Sequence, residues 1–375
     1  MKLRALVIAW KELLQLSRDK LTLAMMAVMP VVLLLLFGYA INTDVRHIPT
    51  LVDDHDRTAE SRDLVARMVS TGFYDLVGEV QGYDDIDLAL RSGVARTAIV
   101  IPPRYAANLA AGVATQVQIV IDGSDPQVVG SAQNTAALLV ASRSSQVRVT
   151  RLARLGTSAG PEPIDLVPDI LYNPDQRTAV YIVPGLIGVI LTMTMVMLTA
   201  MAMARERERG TLEQLVVSPV GRVELVVGKI LPYIAIGYVQ MTLILLFARV
   251  VFGVPLRGSL PLLYALAFMF IAANLAIGLF FSTLSKTQQQ AMQMSFFFLL
   301  PNILLSGFMF PFEAMPRPAQ FLSQALPLTH FLRIVRGIVL KGSTFPELRT
   351  ELAWMAGILV ALVTFSTLRF RKKLL

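Results

Sequence analysis

The run Asp53-Asp54-His55-Asp56 is the densest group of ligand-type side chains in the chain. Carboxylates and imidazoles bind divalent metals, but four adjacent residues directly after a strand-like stretch lack the spacing that turns ligands toward one ion. A solvated turn is expected there. His47 and His330 stand too far from other ligand types to suggest a site. A phosphate-binding loop is imitated by Gly221 to Gly228-Lys229-Ile230, but six residues separate its glycines where a Walker A loop has four. Ile230 also stands where Ser or Thr would reach magnesium. No nucleophile elbow, HExxH motif or dinucleotide fingerprint occurs. With no cysteine there is no disulfide, thiolate metal site or cysteine nucleophile. The chain is expected to be no enzyme and to hold no cofactor.

A different segment invites a partner. From Arg205 to Glu213 the sequence alternates charge and then enters a short apolar helix that Ser218-Pro219 ends. A loop that only anchors topology explains Arg205 and Arg209. It does not explain why Glu206, Glu208 and Glu213 interrupt the bases. A helix presented to another protein accounts for both.

These residues need positioning, and the composition says by what. The chain of 375 residues is 55% apolar and only 16% charged, with a mean hydropathy of +0.61. Soluble domains carry about 25% charged residues. A helix crosses the hydrocarbon core with about 20 apolar residues, and six such runs occur: 21–41, 180–204, 230–252, 260–284, 291–310 and 352–368. The first is longer than a signal-peptide core and follows twenty residues, so an uncleaved anchor is expected. Within Lys2–Lys20, Leu6, Trp10, Leu13 and Leu14 recur at helical spacing. That pattern suits an amphipathic helix lying on the headgroups.

The net charge of +8 divides along the chain. Residues 42–175 hold 17 of the 26 acids against 11 arginines and no lysine, a net of −6, leaving +14 elsewhere. Because the bases flank apolar runs instead of gathering on the polar domain, they mark topology and exclude a nucleic-acid partner. Fifteen of them fall on one side of the six spans, which is assigned as cytoplasmic together with both termini. Segment 311–350 falls outside and carries Arg317, Arg333, Arg336, Lys341 and Arg349, against the local trend.

The fold expected is an α-helical polytopic membrane protein of six transmembrane helices, with an α/β extracytoplasmic domain between the first two. Its divisions are an interfacial helix at 1–20, a first span at 21–41, the outer domain at 42–177, and a five-helix membrane domain at 178–375. In the outer domain, strands are expected at 48–53, 76–81, 97–101 and 117–122, and helices at 61–70, 84–91, 104–111 and 128–155. No span carries a charge at its centre, whereas ion-coupled carriers use intramembrane acids as relays. An external energy source and an amphipathic substrate fit better. Met193, Met195, Met197, Met201, Met203, Met292 and Met294 are read as packing between helices. Gln240 and Asn302 are read as hydrogen bonding between them.

The stretches ERERGTLEQLVVSPVGRVELVVGKILPY (206–233) and LLSGFMFPFEAMPRPAQFLSQALPLTHFLRIVRGIVLKG (304–342) resemble the permease subunit of type-2 ABC exporters. WKELLQLSRDK (10–20), LVDDHDRTAESRDLVARM (51–68), VIPPRYAANLAAG (100–112) and IDGSDP (121–126) are similar to members with a large outer domain. The resemblance implies a bacterial inner-membrane exporter half that pairs with an identical or related permease. It also implies contact with membrane lipid and a separate cytoplasmic ATP-binding subunit that holds ATP and magnesium. Segment 205–220 would be the coupling helix, through Glu206, Arg207, Glu208, Arg209, Gly210, Thr211, Leu212 and Glu213. Segment 311–342 would form re-entrant helices in the outer leaflet, with Gly307, Pro311, Glu313, Pro316, Pro327, Arg333 and Arg336 at the outer gate. At helical spacing the two arginines face together. The alternative is a membrane sensor or scaffold, whose outer domain binds a ligand and whose cytoplasmic loop recruits a signalling protein.

Overall fold

In the polar insert, aliphatic residues alternate along short runs, and alternation sends successive side chains to opposite faces of a sheet. The computed structural model describes residues 45–155, 163–208 and 222–372, with side chains over 45–150, 163–208 and 232–365. The expected helix at 1–20, the first span at 21–41, and Arg209 through Glu213 lie outside these residues.

The insert folds as β1 (Ile48–Asp54), α1 (Ala59–Ser70), β2 (Tyr74–Glu79), α2 (Tyr83–Ser92), β3 (Thr97–Ile101), α3 (Tyr105–Ala111), β4 (Thr115–Asp122), α4 (Pro126–Leu155) and β5 (Ile164–Leu171). The strands make one sheet in the order β2-β1-β3-β4-β5. All pairs are parallel except β3 with β4. Ile48, Val52, Ile99, Ile101, Val117, Ile119 and Ile121 pack on one face beneath Leu64, Met68, Tyr105, Leu109 and Val128. Leu51, Ala98 and Val120 face the other way, against Ile86 and Leu90 of α2.

Two expectations need correction. The sheet has a fifth strand, β5, which pairs with β4 from Thr115–Ile164 to Asp122–Leu171. Pro168 hides it in the sequence, because proline is tolerated in a sheet only at an edge such as this one. The acidic run is also no solvated turn. Asp53 is buried and accepts from Gly82 N and His55 Nε2. Asp54 accepts from the backbone of Asp56 and Arg57 and from Ser61 Oγ. Asp56 accepts from Thr58 Oγ1 and Ala106 N. Asp54 and Asp56 thereby brace the capping box of Thr58 and Ser61 that opens α1. Among the described residues no group of His, Asp and Glu is placed to hold a metal.

The other described residues form helices joined by short connections: α5 (Thr178–Glu208), α6 (Arg222–Val250), α7 (Leu260–Leu284), α8 (Gln288–Leu305), a 3-10 turn (Phe312–Ala314), α9 (Arg317–Gln324), α10 (Pro327–Arg336), a π-turn (Gly337–Lys341) and α11 (Arg349–Lys372). Among the described residues three segments, Thr178–Glu208, Pro232–Val250 and Leu260–Leu284, are long and apolar enough to cross a membrane. α5 and α7 approach backbone to backbone at Gly278, where a Cβ would lie 2.6 Å from Val196 O. The amphipathic α10 puts Leu328, Phe331, Leu332 and Val335 into the shared core, and Phe331 stacks on Phe270 at 4.0 Å.

The run at 291–310 is not helical to its end. α8 stops at Leu305, and Gly307 turns the chain with φ +83°. Arg336 Nη1 donates to Gly307 O and Tyr181 Oη donates to Phe308 O, which takes those carbonyls out of any helical ladder. Gln240 does bridge helices, accepting from Thr194 Oγ1 at 2.7 Å. Asn302 does not: both of its side-chain polar atoms are buried with no hydrogen-bond partner among the described residues. Met195 packs with Ile271 and Leu275 as expected of a core methionine, whereas Met193 and Met292 are exposed.

Candidate functional site

The charges divide into two places. The first is the end of α5. Arg207 Nη1 donates to Ser282 O at 2.8 Å and to Ser285 O at 2.7 Å, capping the last carbonyls of α7. Glu208 accepts from Gln288 N at 2.8 Å and Nε2 at 2.6 Å, at the N-terminus of α8. Arg205 Nε donates to Gln288 Oε1. A cation on a helix C-terminus and a carboxylate on a helix N-terminus both suit the backbone dipoles. The alternation of bases and acids thus has a local use, clamping α5 to the corner between α7 and α8. Of the expected coupling set, Glu206 also lies on α5, and the five from Arg209 to Glu213 lie outside the described residues.

The second place is a cavity of about 690 Å³ where the sheet domain meets the 3-10 turn, α9, α10 and the π-turn. Asp122, at the end of β4, is fully buried and faces two cations. Lys341 Nζ lies 2.6 Å from its Oδ2, and Arg96 Nη1 lies 2.7 Å away. Arg96 Nε reaches onward to Glu313 Oε1 at 3.1 Å. Lys341 also donates to Leu90 O, and Ser343 Oγ donates to Arg91 O, so the π-turn closes the C-terminus of α2. Burial alone would raise the Asp122 carboxyl, but Lys341 and Arg96 hold it far below the usual carboxylate range. Asp125, three residues on, goes the other way. Its burial outweighs the attraction of Arg336 and Arg96, so its carboxyl is pushed up.

α10 supplies the far wall. Its apolar side is in the core, and Arg333 and Arg336 line the cavity. Arg333 Nη1 pairs with Glu351 Oε1 at 3.1 Å and its guanidinium lies over the Phe312 ring. The buried His330 sits between Glu351 Oε2 at 2.5 Å and Gln324 O at 2.9 Å, with its ring stacked on Trp354. Arg336 lies 4.2 Å over the Tyr181 ring.

Of the residues expected at an outer gate, Glu313, Pro316, Arg333 and Arg336 line this cavity. Gly307 is held to it through Arg336. Pro311 and Pro327 lie off the wall, at the starts of the 3-10 turn and α10. Sequence reasoning missed Arg96, Asp122, Asp125, Lys341, His330 and Glu351. Only faint signals mark some of them: IDGSDP carries Asp122 and Asp125, and Lys341 is the one lysine between Lys286 and Lys372, while nothing marks Arg96, His330 or Glu351.

Over residues 20–368 the sequence matches the family profile described as "ABC-2 family transporter protein". It is 28% identical over 377 residues to the probable multidrug ABC transporter permease YbhS of Escherichia coli (strain K12), covering 100% of this chain and 97% of that protein. The probable multidrug ABC transporter permease YbhR of the same organism is 28% identical, covering 89% of each chain. The inner membrane transport permease YhhJ, also from that strain, is 27% identical over 86% of this chain and 85% of its own length.

Proposed function

The chain belongs to the ABC-2 family of transporter permeases, and from that premise we propose that it is the membrane half of an ATP-driven exporter. A separate subunit binds and hydrolyses ATP with magnesium, and this chain passes amphipathic, drug-like or lipid-like molecules outward. The multidrug label on the relatives YbhS and YbhR supports that substrate class.

The observation that carries the proposal is the corner at the end of α5. Arg207 and Glu208 fasten α5 to α7 and α8, so force applied to the loop that follows reaches three helices together. The sequence carries no Walker A loop, which fits a force supplied by a separate ATP-binding subunit. In this reading 21–41, α5, α6, α7, α8 and α11 are the six spans. Segment 205–220 engages the ATPase in the cytoplasm, where both termini also lie. Residues 42–177 are extracytoplasmic, and segment 311–342 enters the outer leaflet of a bacterial inner membrane. Two permeases, identical or related, form the pathway.

The test is hydrolysis by the partner ATP-binding subunit reconstituted with this chain in lipid nanodiscs. Arg209→Glu with Glu213→Arg should abolish substrate-stimulated hydrolysis while the chain still inserts and copurifies as a monodisperse protein. Full stimulation by that variant would remove segment 205–220 from the coupling role.

A further inference from the structure

The cavity beneath the sheet domain contains an unused binding edge. Arg336 spends Nη1 on Gly307 O, and its plane is fixed over Tyr181. Its Nε and Nη2 are buried and have no hydrogen-bond partner among the described residues. Those two N–H groups form the side of a guanidinium that takes the paired oxygens of a phosphate or carboxylate. Across the cavity, Glu313 engages Arg96 through Oε1 while its Oε2 is buried and likewise without a partner. Asp125, also on the wall, is 4% exposed and hydrogen-bonds only Gln127 N through Oδ1. The site thus combines a donor fork on Arg336 with a buried acceptor, Glu313 Oε2, that lacks a donor among the described residues.

The depth of the cavity narrows the ligand. α9 turns Arg317, Gln320 and Gln324 to the cavity, and its outer side exposes Phe321 at 80% and Leu322 at 56%. Large apolar residues on one side of a short helix and polar ones on the other place that helix at a headgroup boundary. We propose that the cavity binds a zwitterionic headgroup, with a phosphate on the Nε/Nη2 edge of Arg336 and a primary ammonium between Glu313 and Asp125. This rests on the outward placement of segment 311–342 in the proposed function and adds a recognition site to it. An ammonium would also relieve Asp125, whose burial disfavours its charge.

The purified full-length chain, without its ATPase, is titrated in phosphatidylcholine nanodiscs with phosphatidylethanolamine or phosphatidylglycerol, and bound lipid is counted by native mass spectrometry. Soluble phosphoethanolamine and inorganic phosphate serve as competitors. Phosphatidylethanolamine should be retained at least tenfold more tightly than phosphatidylglycerol. Arg336→Lys, which keeps the charge and loses the fork, should weaken that retention about tenfold. Glu313→Gln should erase the preference for the amine-bearing lipid while leaving phosphate-dependent binding. Competition by soluble phosphoethanolamine at concentrations matching the lipid would support the same site and assign it to a soluble zwitterion. Equal retention of the two lipids by the wild-type chain would overturn the proposal, as would undiminished retention by Arg336→Lys. Variants are compared only where size-exclusion profile and lipid-free thermal midpoint match the wild type. Because no ATPase is present, failure here leaves the transport reading intact, and failure of transport leaves this result standing.

Discussion

Lys341 Nζ lies 2.6 Å from Asp122 Oδ2 across 219 residues of chain, and both side chains are buried. This contact, with Arg96 on the same carboxylate, pins the end of β4 to the π-turn after α10. Removing one partner of a buried ion pair leaves an uncompensated charge, at a cost of about 3–5 kcal/mol. Asp122→Asn should therefore lower the thermal midpoint of the purified chain and open the sheet domain to limited proteolysis. Asp122→Leu combined with Lys341→Met should recover part of the loss, because well-packed apolar groups replace a buried pair at little cost. Two single losses that simply add in the double variant would show the pair to be uncoupled.

The acids of this junction have opposite pH signatures. Asp122 is held low, so its contribution is present above the ordinary value of 3.8 and is lost only as pH falls through its lower folded value. Asp125 is raised by burial. Its folded form holds the proton more tightly, so its contribution is present below 3.8 and is lost as pH rises through the folded value. Above pH 3.8 stability attributable to Asp125 should decline with rising pH until its raised folded value is passed. Asp125→Asn should flatten that slope in a series of thermal melts, with Asp122 adding nothing until below pH 4. An unaltered slope in Asp125→Asn would assign it elsewhere.

At Gly278 a Cβ would stand 2.6 Å from Val196 O, and backbone cannot yield as a side chain can. Gly278→Leu should separate α5 from α7 and lower stability by about 1–3 kcal/mol, as overpacking does. Gly357→Ala on α11 is the control, since nothing lies within 4 Å of the added carbon. It should be neutral or slightly stabilising, as helix propensity favours alanine by about 1 kcal/mol. Melting curves of the two variants in one detergent make the comparison.

Much of this architecture can be read from local pattern. The strand at 97–101 is found at its expected bounds because TAIVI is a short run of β-branched and apolar residues, and the helix at 260–284 because no charge interrupts it. β5 escapes because Pro168 breaks the period of an edge strand whose residues are largely not buried. His330 looks isolated in sequence because its partner Glu351 lies 21 residues away on the next long helix. The junction itself escapes because neither Asp122 nor Lys341 belongs to a periodic pattern, and only the folded chain brings them together.

Within segment 205–220, Arg207 is spent on contacts inside the chain, so it should transmit force while the residues that follow it do the docking. Arg207→Ala removes the donor to Ser282 O and Ser285 O. It should leave binding of the ATP-binding subunit intact and reduce substrate-stimulated hydrolysis about tenfold, which co-purification and a phosphate-release assay would read separately. Loss of binding together with hydrolysis would instead make Arg207 part of the docking surface.

On the proposed function, this chain moves substrate only when a separate ATPase drives it. The direct measurement is uptake of a fluorescent amphipathic drug into inverted vesicles carrying this chain and its ATP-binding subunit, with ATP supplied outside. The account predicts ATP-dependent accumulation that vanishes when either the ATP-binding subunit or the chain is omitted. Accumulation by vesicles holding this chain alone, or none with both subunits assembled and hydrolysing ATP across a panel of lipids and drugs, would contradict it.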